Sequence, residues 1–278
     1  MVSFNEAKKL AEEIKDFAKS IIKPGEDLLE ITEKIEDKIK QLGCKPAFPI
    51  NLCKDEIAAH HQGEKGEKAS GLLKVDIGII HHDYIIDFAF SLDLTEDKKY
   101  TKLIQASEKA LQEASKLIKK GAKLGKIGKT IQTETTKAGF VPIRNLSGHQ
   151  IERWNLHSGL TIPNYDNEDE EKLEKGVFAV EPFATSGAGL VIDGKPSGIY
   201  QFKQRKAIRD SLAREIMDFI EEEYKELPFC ERWIKEKFPR ASFSLKLMEQ
   251  AGILHNYATL IEKNKQPVSQ AEDTFLIE

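Results

Sequence analysis

Apolar side chains return at helical spacing along the first 42 residues. Phe4, Ala7, Ala11, Ile14 and Ala18 form one stripe, Pro24-Gly25 breaks it, and Leu28, Ile31, Ile35 and Ile39 form a second that ends before Gly43. Residues 4–42 are therefore read as two helices. Residues 47–53 read as a short strand approaching Ile57-Ala58-Ala59-His60-His61, and a loop rich in Gly, Glu and Lys follows at 62–70. Residues 75–88 form a hairpin whose apolar arms meet at His81-His82. An amphipathic helix is expected at 96–120, with Leu103, Ala106, Ala110 and Leu117 on its stripe and Gly121 as C-cap. Another runs over 127–138 and closes at Gly139. Strand-like pieces surround His149 and His157, and strands are expected at 176–182 and 190–193. Residues 203–262 read mostly as helix, with Leu212, Ile216, Phe219 and Ile220 on one stripe, and 268–277 as a terminal strand. The pattern is two β-rich halves, about 71–92 and 176–194, plus a helical block. The halves share no convincing sequence repeat.

Composition narrows the classes. A chain of 278 residues with 40% hydrophobic content can bury a large core as one domain or two. A net charge of -4 gives no general electrostatic drive toward nucleic acid, although local basic patches remain open. No segment approaches the roughly 18 apolar residues that cross a bilayer. The start, Met1-Val2-Ser3-Phe4-Asn5-Glu6-Ala7-Lys8-Lys9, lacks the apolar core of a signal peptide. Cys44, Cys53 and Cys230 are odd in number and not in CxxC spacing, which argues against a disulfide framework. The expectation is a cytoplasmic protein without membrane attachment.

The candidate chemistry begins at the hairpin. Asp76 and Asp87 lie equally far from its midpoint at His81/His82, so folding about that point would oppose the two carboxylates directly. Opposed like charges weaken a ladder, and unpaired carboxylates are costly among Val, Ile and Phe. Multivalent cations between them would remove both problems. His149 follows the small residues Ser147-Gly148, Glu181 interrupts the apolar run Val177-Phe178-Ala179-Val180, and Glu272 sits in the terminal strand. Four carboxylates and one imidazole suit a dinuclear site for hard or borderline divalent ions. Each residue also has an ordinary role, the carboxylates on a solvated strand face and His149 at the surface or hydrogen-bonded in the core. Spacing alone leaves both accounts open.

The strings around these residues resemble the methionine aminopeptidases, specifically type II as found in archaea and eukaryotes. The matching stretches are Lys45-Pro46-Ala47-Phe48-Pro49-Ile50-Asn51, Glu56-Ile57-Ala58-Ala59-His60, Val75-Asp76-Ile77-Gly78, Ile86-Asp87-Phe88-Ala89, Gly148-His149-Gln150-Ile151, Leu156-His157-Ser158-Gly159, Phe178-Ala179-Val180-Glu181-Pro182-Phe183-Ala184 and Gln270-Ala271-Glu272-Asp273-Thr274. They occur in family order and span nearly the whole chain.

The resemblance implies an α+β "pita-bread" fold, two pseudo-symmetric halves around a curved antiparallel sheet with metals at its centre. It divides the chain into a catalytic unit, 1–194 and 264–278, and a helical, winged-helix-like insertion at 195–263. Glu226-Leu227-Pro228-Phe229-Cys230-Glu231-Arg232-Trp233 resembles that insertion and favours type II. The resemblance further implies two divalent ions, Co, Mn, Fe or Zn, held by Asp76, Asp87, His149, Glu181 and Glu272, with Asp87 and Glu272 as bridges. A water shared by the ions would attack the bond after an N-terminal methionine, with Glu181 accepting its proton. His157 would bond the scissile amide and the tetrahedral intermediate, and His60 would contact the residue after methionine and help protonate the leaving amine. Phe48 and Leu156, with part of His60, would wall the methionine pocket. The implied partners are nascent polypeptides and peptides with N-terminal Met, with the ribosome as a further candidate, no specific nucleic acid, and a monomeric state. His61, His81, His82 and His255 are left as surface or structural residues.

Two features depart from the family pattern. Asp273 stands where many members have His, an extra anion beside Glu272 that either alters the local field or points away. His61 stands where an aromatic is common, and the loop Gln62-Gly63-Glu64-Lys65-Gly66 also differs, so either could tune the second residue accepted or the metal preferred. The competing accounts are an aminopeptidase P or prolidase, which carry extra His residues and an N-terminal domain for which this chain leaves no room, and a partner-binding relative that has lost metal ligands.

Overall fold

The computed structural model describes residues 3–278; Met1 and Val2, the start of the segment read for a signal peptide, lie outside the described residues. The first half comprises α1 (Phe4–Ile21), α2 (Leu28–Gln41), β1 (Lys45–Pro46), β2 (Asn51–Lys54), β3 (Ile57–Ala59), β4 (Leu72–His81) and β5 (Tyr84–Asp93). The second comprises α3 (Thr101–Ser115), α4 (Leu124–Lys137), β6 (Val141–Pro142), β7 (Ser147–Ile151), β8 (Thr161–Pro163), β9 (Gly176–Val180), β10 (Phe183–Thr185) and β11 (Val191–Phe202). There follow α5 (Ser211–Glu223), β12 (Phe229–Cys230), α6 (Glu231–Lys237), α7 (Ala241–Gln250), β13 (Leu254–Glu262), β14 (Val268–Gln270) and β15 (Asp273–Ile277).

The two N-terminal helices form where the apolar stripes require them. Ser3 caps α1 through Glu6 N, and Asp27 caps α2 through Leu29 N and Glu30 N. Their buried faces, Ala7, Ala11, Ile14 and Ala18 with Leu28, Ile31, Ile35 and Ile39, pack on the outer side of β4 and β5, against Val75, Ile77, Ile79, Ile86, Phe88 and Phe90. Burying each Ile fully contributes roughly 1.5–3 kcal/mol. Strand alternation then sends Lys74, Asp76, Gly78, Asp87, Ala89 and Ser91 to the inner face. The second half repeats the plan. Leu124, Ile127 and Ile131 of α4 and Ala110 and Ala114 of α3 cover Phe178 and Val180 of β9.

Among the described residues the strands form three four-stranded antiparallel sheets and a three-stranded one, β14-β10-β6; one four-stranded sheet runs β12-β11-β13-β3, and the two under these helices are β4 flanked by β1, β2 and β5, and β15-β9-β7-β8. The bridge Ala89–Glu272 joins them, and beside it Thr274 Oγ1 accepts from Asp87 N at 2.8 Å and donates to Asp87 O at 2.7 Å. The inner faces of both sheets therefore meet along one seam.

The structure corrects several expectations. The hairpin turns over His82-Asp83, with His82 in the left-handed region at φ 55°, so His81 pairs with Tyr84. Asp76 lies opposite Ala89 and Asp87 opposite Gly78. The two aspartates share a face as diagonal neighbours and are not directly opposed. The helix expected at 96–120 is shorter, Thr101–Ser115, and His157 lies in a loop. The block 203–262 is not helical throughout: α5, α6 and α7 are followed by β13, which pairs with β11 through two register shifts. Those bulges disturb the alternation that would have marked a strand.

The helices α5–α7 enclose their own core around Ile216, Ile220, Phe229, Leu245 and Met248. They are tied to the first half by the buried Glu36 carboxylate, which receives Arg232 Nη1 at 2.8 Å, Arg232 Nη2 at 2.5 Å and Trp233 Nε1 at 3.0 Å. None of the helices among the described residues is long and apolar enough to cross a membrane.

Candidate metal centre and substrate pocket

A cavity of about 260 Å³ opens where the inner faces meet. Asp76, Asp87, His149, Glu181, Glu272, His60, His157, Phe48 and Leu156 all line it, so the residues assigned to the metal centre and pocket from the sequence converge on one place. Each arrives on a different segment: Asp76 on β4, Asp87 on β5, His149 on β7, Glu181 just beyond β9, and Glu272 between β14 and β15. Gly148 is required beside His149, because a Cβ there would strike the carbonyl of Ala179 on the paired strand.

Asp87, His149 and Glu272 each offer a ligand atom within 4.8 Å of the others. His149 Nε2 lies 3.6 Å from Asp87 Oδ2 and 3.7 Å from Glu181 Oε1. Asp76 is connected through Gln270, whose amide donates to Asp76 Oδ2 at 3.3 Å and to Glu272 Oε2 at 3.2 Å. Asp76 Oδ1, Asp87 Oδ1 and Glu272 Oε1 are buried and accept no hydrogen bond from the protein.

The electrostatics describe a site built for positive charge. Burial pushes the Asp76 carboxyl up to about 7, offset in part by the Gln270 hydrogen bond. Burial, then the neighbouring Asp76 and Glu181, raise Asp87 well above the usual range. Glu181 is raised by burial and Asp76, and Glu272 by burial and the surrounding Asp87, Glu181 and Asp76. Burial lowers His149 to about 3, with His157 contributing. A neutral imidazole forms no ion pair with Asp87 or Glu181, but it is the protonation state that ligates a metal. Clustered carboxylates with orphaned oxygens are costly in this setting. A divalent cation supplies the missing partner, so the donor set fits one, and the mixture of carboxylate oxygen with imidazole nitrogen suits Mn, Fe, Co or Zn.

Beside this cluster lies the pocket. Phe48 seats its ring over β4 because Gly78 leaves the space; a Cβ at 78 would overlap the ring. Leu156 packs in the same apolar cluster as Phe48, backed by Ala47, Ile85, Ile151 and Leu227. His157 stacks edge-on against His149, ring centroids 4.3 Å apart. His157 is exposed at the cavity mouth, but desolvation of its ring on the cavity side, then His60 and Lys203, lower it to about 4. His60 takes a left-handed conformation at φ 59° and sets its Nδ1 3.0 Å from Ala258 O, its ring 5.0 Å from Tyr257. Burial lowers its pKa as well.

Tyr257, Ile199 and Pro228 also line the cavity and were not singled out from the sequence. Tyr257 lies in the stretch read as helix. The β-favouring content of Leu254-His255-Asn256-Tyr257-Ala258-Thr259-Leu260-Ile261 was the available signal for a strand.

The departures find partners elsewhere. Asp273 forms an ion pair with Lys8 of α1 and accepts from Thr274 N at 2.9 Å, so its carboxylate turns from the cavity. His61 places Nε2 2.7 Å from Glu67, which also receives Lys54 at 2.9 Å, stapling the 62–70 loop. His81 is buried, with its Nδ1 3.6 Å from Cys44 Sγ and its Nε2 3.9 Å from Glu6 of α1.

The sequence profile of metallopeptidase family M24 matches residues 3–224. A methionine aminopeptidase of Pyrococcus abyssi is 42% identical over 283 residues, covering 98% of this chain and 95% of the relative. The chain belongs to metallopeptidase family M24, among its methionine aminopeptidases. The fold agrees with that membership. A crystal structure of methionine aminopeptidase from Rickettsia prowazekii superposes with TM-score 0.68 at 20% identity, covering 96% of this chain and 89% of that one. The structure of a thermophilic Arx1 superposes with TM-score 0.80 at 12% identity, covering 99% and 88%. The two-halved, curved-sheet architecture expected from the resemblance is the one observed, and the M24 family accounts for divalent metal use at its centre.

Proposed function

We propose that the chain removes the N-terminal methionine from peptides and nascent proteins, with Asp76, Asp87, His149, Glu181 and Glu272 holding two divalent cations. The observation that carries this reading is the set of four carboxylates with raised pKa around one neutral imidazole, Asp87 and Glu272 buried and Asp76 and Glu181 partly so, three of them with an oxygen that no protein donor reaches. Membership among the methionine aminopeptidases supports the substrate. The number of ions follows from a five-residue donor set too rich for one ion with an open position, and their identity is left to Mn, Fe, Co or Zn. Bound here, such ions supply Lewis acidity toward the scissile carbonyl and lower the pKa of water.

The chain's own residues divide the remaining work. Glu181, whose raised pKa makes it an effective proton acceptor near neutrality, takes the proton of the attacking water. His157 is neutral and donates to the oxygen that gains charge in the transition state. His60, whose Nδ1–H donates to Ala258 O, contacts the residue after methionine, and the proton that Glu181 takes from the water passes to the departing amine. Phe48 and Leu156, joined by Ile199, Pro228 and Tyr257, wall the methionine side chain with apolar surface. The same reading takes residues 1–194 and 264–278 as the catalytic unit, 195–263 as an insertion that lends Pro228 and Tyr257 to the pocket, and the ribosome as a candidate partner of a monomer.

His157→Ala should reduce kcat by about 10²–10³-fold, the usual effect of one lost oxyanion donor, while Mn affinity stays near the parent's. An unchanged kcat would remove His157 from the chemistry. The overall test is cleavage of Met-Ala-Ser and Ala-Met-Ser by chelator-stripped protein, with and without Mn or Co. Metal-dependent release of methionine from the first alone is expected. No release in the presence of bound metal, with turnover of X-Pro dipeptides instead, would replace the methionine specificity with that of a prolidase.

A further inference from the structure

Gln270 is a buried amide that belongs to neither the donor set nor the pocket wall. Its backbone is fixed from two sides. It pairs with Phe183 of β10, and Ser91 Oγ both accepts from Gln270 N at 2.9 Å and donates to Gln270 O at 2.8 Å. The side chain therefore starts from a defined point. Its Nε2 reaches Asp76 Oδ2 at 3.3 Å and Glu272 Oε2 at 3.2 Å. Those acceptors come from separate segments, β4 and the link between β14 and β15, that no backbone hydrogen bond of their own joins directly; Ala89 stands between them, opposite Asp76 on one side and bridged to Glu272 on the other.

The chemistry of an amide suits this position. Its nitrogen carries two N–H groups, one for each carboxylate, and no charge. A Lys or Arg would neutralise the carboxylates and compete with cations, and a Glu would add another repelling anion. With Oδ2 and Oε2 engaged, Asp76 Oδ1 and Glu272 Oε1 are left as buried oxygens without a protein partner. We propose that Gln270 is the positioning residue of the metal centre, a neutral clasp that fixes Asp76 and Glu272 at a set spacing and leaves one oxygen of each to the cations. The proposal rests on the metal-centre reading above. Outer hydrogen bonds of this kind orient ligands before the metal arrives, and losing one typically weakens metal affinity about 10–100-fold.

The test is calorimetric titration of Mn into chelator-stripped parent, Gln270→Leu and Gln270→Asn, with thermal unfolding of each metal-free protein alongside. The Leu variant keeps most of the volume and loses both donors; the Asn variant keeps the amide but retracts it by one methylene. The expected result is Mn affinity lowered about 10–100-fold in Gln270→Leu, and a matching loss of Mn-induced stabilisation. If Gln270→Leu does not fold, Gln270→Asn decides, with a weakening of at least several-fold expected. A lower metal-free melting temperature with Mn affinity unchanged would mean a purely structural role and overturn the proposal. Failure of the parent itself to bind Mn would instead sink the metal-centre reading, so the two failures are distinguishable.

Discussion

His149→Ala should lower turnover of a methionyl peptide by about a thousandfold or more while leaving the fold intact. The imidazole is the one nitrogen donor in the cluster, and its Nε2 lies within 3.7 Å of both Asp87 and Glu181. An ion lacking it loses one of few ligands and with it part of its Lewis acidity. Metal assistance is worth several kcal/mol, and about 4 kcal/mol corresponds to three decades in rate. The fold should survive because His149 is already neutral, so removing it strands no charge. Its strand is held by backbone pairing with β8 and β9. The decisive comparison is activity against added Mn at limiting metal, with circular dichroism as the folding control. A variant as active as the parent under those conditions would exclude His149 from the ligand set.

Metal removal should make stability depend on pH in the direction opposite to ordinary acid denaturation. Asp76, Asp87, Glu181 and Glu272 all have folded-state pKa values above their unfolded ones, with Asp76 at about 7. The folded, metal-free chain therefore holds more protons than the unfolded chain. Unfolding free energy then falls as pH rises from about 4 through 7 and beyond. His149 and His157 act in the opposite sense, because their folded values of about 3 and about 4 lie below the unfolded one; their stabilisation is lost only as pH falls below about 6.5. The clean window is thus pH 6.5–8, below the region where the buried Lys74, lowered by burial to about 8, begins to add stability with rising pH. Bound divalent ions hold the carboxylates ionised and cancel the loss. The melting-temperature gap between Mn-loaded and chelator-stripped protein should therefore widen from pH 6.5 to 8. At about 1.4 kcal/mol per pKa unit, the effect is a few kcal/mol. A gap that stays constant or narrows would mean that the four carboxylates are not the metal-linked groups.

Much of this was legible because local patterns carried it. The stripes in α1 and α2 fixed both helices, and Pro24-Gly25 marked the break between them. Asp76, Asp87, Glu181 and Glu272 stood out as charges within apolar strand sequence, where burial demands a partner. The pairing register was misjudged by two residues because the left-handed conformation of His82 moves the turn to His82-Asp83, a detail the apolar arms do not encode. Tyr257 was missed for a related reason: the register shifts of β13 against β11 blur strand periodicity, so its segment joined the helical block. Gln270 lay in a family-matching string, but nothing in the sequence pointed to a role for its side chain. A glutamine two residues before Glu272 looks like any polar strand residue until the fold brings Asp76 to its other side. The fate of Asp273 was likewise set at a distance, by Lys8 on the first helix.

If five side chains from both halves of the chain hold divalent cations in one cavity, anomalous diffraction from Mn-loaded crystals will place the ions there. Two anomalous peaks are expected within ligand distance of Asp76, Asp87, His149, Glu181 and Glu272, with Asp87 and Glu272 touching both. Peaks elsewhere on the chain, or none in this cavity at Mn concentrations that support methionine release, would contradict this assignment.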